Sequence, residues 1–206
     1  MKAIAPLLVY LAVGIGMFQL HSAWGALLGF NLAIVVSLLW VRPNIPIATL
    51  FKSTNIKWIL LSVLLSGSSG LGLYFLWAYF GVANDIAIQI ESLGLTPTTW
   101  PGFIAYFALV NPLLEEYFWR GYLGNPTSKF YIYDLIYAGF HALVLIGKVP
   151  GYSIVFALIG LTFAGWFWRQ IAREDRGLLA SVLGHMAADF TILLAVFWRV
   201  SSSTNL

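Results

Sequence analysis

LLASVLGHMAADFTILLAVFW, residues 178–198, is apolar almost throughout, yet His185 and Asp189 sit in its middle. An α-helix rises about 1.5 Å per residue, so a run of this length crosses the roughly 30 Å hydrocarbon core of a bilayer. Residues four apart share a helix face, so the two ionisable side chains point the same way. The stretch reads as a membrane span with one polar side, and other spans are expected to supply what that side faces.

Working outward, six more apolar runs have spanning character, at about residues 3–20, 23–41, 58–82, 101–119, 131–147 and 152–169. The composition agrees: 60% of the 206 residues are hydrophobic, against about 45–50% in soluble domains, and mean hydropathy is +0.86. The expected fold is all-α, a polytopic transmembrane bundle of about seven spans. No stretch is polar or long enough for a separate water-soluble domain, so residues 1–206 read as one membrane-embedded domain, with RPNIPIATLFKSTNIK (42–57) as an interfacial linker. The first 25 residues imitate a signal peptide, but His21 stands where cleavage after Ala23 wants a small residue, so retention is expected. The absence of cysteine removes disulfides, thiolate metal sites and a cysteine nucleophile.

A net charge of +3 raises the question of nucleic acid, but eleven Lys and Arg scattered between apolar runs make no basic face. They set topology instead. With a cytoplasmic N-terminus, Lys2, Arg42, Lys52, Lys57, Arg120, Lys129, Arg169, Arg173 and Arg176 fall on the cytoplasmic side, leaving Lys148 and Arg199 outside. Small residues form packing stripes in two spans, Ser62, Ser66 and Gly70 in one, Ser153, Ala157, Gly160 and Ala164 in the other.

Ionisable groups at bilayer depth cost about 2.5–3.5 kcal/mol each on insertion scales, which makes each a functional candidate. The fourth run holds Glu115, Glu116 and Arg120, the fifth Asp134 and His141, the seventh His185 and Asp189. Spacing pairs Glu116 with Arg120 and leaves Glu115 on another face, shared with Asn111. Pro112 is expected to kink the fourth span. Taken singly, such groups also serve as satisfied contacts between helices. Together, a carboxylate, two histidines and an Asx-type residue at similar depth have the parts of a hydrolytic site: a base for water, an imidazole to share its proton, and donors for an oxyanion.

These residues carry a family resemblance. EEYFWR (115–120) with Gly121 after it, YAGFH (137–141) and HMAAD (185–189) resemble the EExxxR, FxxxH and HxxxN or HxxxD motifs of the CPBP family, intramembrane proteases related to the type II CAAX prenyl endopeptidase and to bacteriocin self-immunity proteins. The resemblance covers about residues 100–200, the family's core region, with 1–99 as additional N-terminal helices and linker. It implies a metal-free glutamate peptidase of the bacterial plasma membrane, cutting a peptide or protein substrate at the bilayer. Glu115 is the implied general base, assisted by His141; His185 and Asp189 are implied at the oxyanion, and Glu116 and Arg120 are implied to brace Glu115. Two departures matter: Tyr137 replaces phenylalanine, and Asp189 stands where the prenyl proteases have asparagine. An ionised aspartate cannot donate to an oxyanion, so either a low-dielectric site keeps Asp189 protonated or it orients His185 and leaves the oxyanion to other donors, the second being preferred.

Other readings make different predictions. Two histidines and two carboxylates are also a ligand set for zinc, although HExxH is absent. GSSG (67–70) has the form of a rhomboid-type serine motif, but its glycines and serines belong to a packing stripe. Buried Glu, His and Asp also build proton or cation pathways in transporters, although no inverted repeat is visible. A non-catalytic immunity protein is the fourth possibility.

Overall fold

The structure, a computed structural model, describes residues 4–203; Lys2 and the last three residues, 204–206, lie outside it, and with them the ends of the chain used above for orientation. It is 78% helix, and among the described residues there is no strand. Among the described residues ten α-helices follow one another: α1 Ile4–Gly14, α2 Ala23–Val41, α3 Ile56–Leu76, α4 Ile86–Ser92, α5 Trp100–Leu109, α6 Asn111–Glu115, α7 Ile132–Gly139, α8 His141–Leu145, α9 Gly151–Asp175 and α10 Leu179–Ser203. Each of the seven apolar runs becomes a helical rod of an all-α membrane bundle. Among the described residues four helices are long and apolar enough to cross a membrane: α2, α3 with its following turn to Phe80, α9, and α10 as far as Ser201.

The other rods are shorter or broken, and the breaks have local causes. A π-helical turn, Ile15–Gln19, closes the first rod. Pro112 lies in the first turn of α6, where a missing N–H is tolerated, and the fourth rod breaks at Val110 between α5 and α6. That rod then continues as a second π turn, Glu116–Tyr122. The fifth rod divides at Phe140, between α7 and α8. Beside that break Gly139 lets Tyr10 approach, since a Cβ there would collide with the Tyr10 hydroxyl, which donates to Ile136 O at 2.7 Å.

Helix ends are well defined. Ser22 caps α2 by accepting from Gly25 N at 3.0 Å, and α2 ends at Arg42 in the left-handed region. Asp175, at the end of α9, accepts from Thr54 N and Asn55 N at 2.7 and 3.2 Å, fixing the start of α3 beside it. The Arg42 end of α2, the start of α3 and the end of α9, with Lys52 and Arg176, lie on one side of the bundle. On the opposite side Ala83 N donates to Lys148 O and Ser153 Oγ to Phe80 O. The division of basic residues into two ends is therefore a property of the fold.

The closest helix pair is α3 with α10. A Cβ on Gly184 would run into Ser62, and one on Gly70 into Thr191, so the backbones touch where the first small-residue stripe runs. The second stripe behaves differently. Ser153 is buried, but Gly160 is exposed with nothing within 4 Å of a Cβ, because that face of α9 looks away from the bundle. The linker tucks beneath the fourth rod: Ile45 O accepts from the Tyr117 hydroxyl at 2.6 Å, and Leu50 packs on Leu178 and Val182.

Candidate active site

The fourth rod supplies three of the charged groups. A π turn widens the helix by one residue per hydrogen-bonded ring, and such turns recur at functional sites. Here it carries Glu116, Trp119 and Arg120 inward. Gly124 closes it, where a Cβ would collide with Arg120 O. Glu116 is fully buried, and its Oε1 lies 3.1 Å from Arg120 Nη1. Glu115, also buried, points elsewhere: its Oε1 accepts from Asn111 Nδ2 at 2.6 Å. The adjacent glutamates are thus inequivalent, as helical spacing predicts.

The fifth rod contributes Tyr137 and His141. Tyr137 is buried under the Arg120 guanidinium, whose carbon lies 4.1 Å from the ring centre, a cation–π geometry. Gly165 makes room for it, since a Cβ there would lie 3.0 Å from Tyr137 Cδ1. The His141 ring stacks on Phe140 at 4.1 Å and stands edge-on to Tyr137 at 5.5 Å, and its Nδ1 faces Ala138 O at 3.2 Å. Among the described residues no hydrogen bond joins His141 to Glu115. Asp134, the other ionisable group of this rod, is engaged elsewhere. It takes a bidentate pair from Arg169, at 2.9 and 2.7 Å, and Tyr131 N at 2.8 Å.

The seventh rod brings His185 between two carboxylates. Its Nδ1 lies 2.8 Å from Glu116 Oε1 and, since a carboxylate accepts, carries the proton. Its Nε2 lies 3.6 Å from Asp189 Oδ2. Trp168 of α9 stacks on the imidazole at 4.3 Å and 21°, stands 5.1 Å from Arg120, and donates from Nε1 to Ser66 Oγ at 3.1 Å. Trp168 is a part of the site that the sequence did not single out. One tryptophan within GWFW carries no local sign of what it stacks on.

Glu115, Glu116, Arg120, Tyr137, His141, His185 and Asp189 thus form one buried electrostatic cluster. Several of its buried polar atoms have no hydrogen-bond partner in the protein: Asn111 Oδ1, Glu115 Oε2, Glu116 Oε2, Arg120 Nη1 and Nη2, and Asp189 Oδ2. Buried polar groups are normally satisfied, so these atoms leave the cluster with acceptors and donors open to a further partner. An apolar groove of about 400 Å³ runs between α5 and α10, lined by Ile104, Ala108, Phe190 and Leu194 among others. It ends within a turn of Asn111 and Asp189. Among the described residues no three His, Asp or Glu side chains are arranged to hold one metal ion. Ser69 Oγ of GSSG donates to Ser66 O at 2.6 Å on an exposed face of α3.

The cluster can hold a buried carboxylate with one oxygen fixed and the other open, beside imidazoles and a guanidinium. Residues 97–191 match the family model described as Type II CAAX prenyl endopeptidase Rce1-like, a stretch that contains every one of these cluster residues. No curated protein and no solved structure matches the chain.

Proposed function

Residues 97–191 being an Rce1-like domain, consistent with the CPBP and CAAX protease family, we propose that this integral membrane protein is an endopeptidase that hydrolyses a membrane-associated peptide with water activated by Glu115. The observation that carries this reading is the state of Glu115: Oε1 is held at 2.6 Å by Asn111, and Oε2 is buried without a partner. In the reaction Oε2 takes a proton from water while the water oxygen bonds to the scissile carbonyl carbon. The carbonyl π pair moves onto oxygen. When the tetrahedral intermediate collapses the C–N bond breaks, and the proton held by Glu115, shared with His141, goes to the leaving amine. Glu116 braces Arg120 and His185 at one point, and Asp189 orients His185 from its other nitrogen. A peptide with an apolar or lipidated end reaches the cluster along the groove between α5 and α10.

The excess of basic residues at one end of the bundle favours a cytoplasmic N-terminus and a site in the cytoplasmic half of the bilayer; a bacterial plasma membrane is what the family resemblance implies. The direct test compares peptide termini in membranes containing the protein or Glu115→Gln. Positioned general bases contribute roughly 10²–10⁴-fold, and termini should disappear accordingly. Exhaustive chelation should leave cleavage intact, whereas loss that zinc restores favours the metal reading. Ser69→Ala should cleave normally. Ion flux through reconstituted vesicles that depends on Glu115, without cleavage, would replace this reading by transport.

A further inference from the structure

His185 is tied at one nitrogen and loose at the other. Its Nδ1 meets Glu116 Oε1 at 2.8 Å, but Nε2 stands 3.6 Å from Asp189 Oδ2, beyond hydrogen-bonding distance. A histidine ring turns about a broad χ2 torsion, so a single hydrogen bond leaves its plane free to swing about that contact. For Nε2 to keep one direction, something else has to set the plane.

Trp168 is placed to set it. Its indole lies on the imidazole at 4.3 Å and 21°, and stands 5.1 Å from the Arg120 guanidinium carbon. His185 and Arg120 are the two groups that meet at Glu116 Oε1, at 2.8 and 3.1 Å, so one tryptophan borders both. An indole also turns about χ2, and here its rotation is stopped by Nε1, which donates to Ser66 Oγ of α3 at 3.1 Å. Packing alone does not supply such a partner: Trp119 is buried to the same degree, yet its Nε1 has no acceptor in the protein. The same helix holds the backbone beside the histidine, one turn from Ser66, because a Cβ on Gly184 would run into Ser62. Ser66 lies outside residues 97–191, on a helix that contributes none of the charged groups of the cluster.

We propose that Trp168 is a positioning residue of the site and that Ser66 of α3 sets it: the hydroxyl fixes the indole plane, and the indole fixes the plane of the His185 imidazole between Glu116 and Asp189. The catalytic consequence rests on the proteolytic reading above; the ring geometry does not.

The experiment uses the full chain in lipid nanodiscs and in membranes, as wild type, Ser66→Ala, Trp168→Phe, the two combined, Trp168→Leu and Glu115→Gln, at equal levels of folded protein. Two quantities are read: the rate at which Glu115-dependent peptide termini form, and the NMR signal of the His185 Nδ1 proton in histidine-labelled protein, assigned by its loss in His185→Gln among only three histidines. A misplacement of about 1 Å costs up to roughly 10²-fold in rate, so Trp168→Leu should be slower by that order. Ser66→Ala and Trp168→Phe should each be slowed less, and together no more than the slower of the two, because both remove one hydrogen bond. The Nδ1 proton signal should broaden or shift in all four of these variants. Wild-type rate and signal in Ser66→Ala, rates that fall while the His185 signal stays as in wild type, or a double variant slowed by the product of the single effects overturn the inference alone. The absence of any Glu115-dependent terminus in wild type overturns the proteolytic reading and the catalytic consequence with it, while an unmoved His185 signal overturns the positioning itself.

Discussion

Glu115 and Glu116 are neighbours in sequence with different tasks, and spacing alone separated them. Residues 116 and 120 share a face, and their ion contact follows from local geometry. The 2.8 Å contact between Glu116 and His185 does not, because it depends on how the fourth and seventh rods pack, 69 residues apart. Trp168 escaped notice for the same reason. Breaking a buried pair strands a charge at about 3–5 kcal/mol, so Arg120→Leu should lower thermal stability sharply in detergent while Glu115→Gln leaves it almost unchanged. Equal losses of stability in the two variants would mean that both glutamates are structural.

At the scale of elements, apolar runs gave rods and special residues gave their breaks. Pro112 announced the interruption of the fourth rod, but neither the π turn at Glu116–Tyr122 nor the division at Phe140 has a sequence sign of comparable strength. Gly124 meets Arg120 O within its own rod, whereas at the division of the fifth rod Gly139 is held against Tyr10 of the first. Asp134 shows how a buried charge can mislead. It sits in the same rod as His141, yet Arg169 claims it and also donates to Asn125 O, Thr127 O and Lys129 O at 3.0, 2.5 and 2.7 Å, tying the loop between the fourth and fifth rods to α9. Arg169→Leu should therefore destabilise the protein by about 3–5 kcal/mol and expose this loop to protease, with limited proteolysis as the check. On α10, Gly184→Leu should drive it from α3 and abolish folding, whereas Gly160→Leu, facing outward, should be tolerated. Expression and melting of the two variants separate these outcomes.

For the whole molecule, hydropathy and charge made the membrane bundle legible before any contact was known, because spanning length and basic asymmetry are properties of segments. Convergence of three rods on one cluster is a property of the assembled bundle, and the motif order carried it only through a family resemblance. The chain lacks cysteine, so single cysteines report orientation cleanly. In the proposed orientation, Ser128→Cys should react with an impermeant thiol reagent only from the cytoplasmic side, and Glu91→Cys only from outside; the reverse pattern would invert the bundle. The central claim, that the cluster cuts peptides with water activated by Glu115, is tested most directly by comparing peptide termini in membranes holding wild type or Glu115→Gln at matched abundance. The account predicts termini present with wild type and reduced roughly 10²–10⁴-fold with the variant. Identical sets of termini from the two membranes would contradict it.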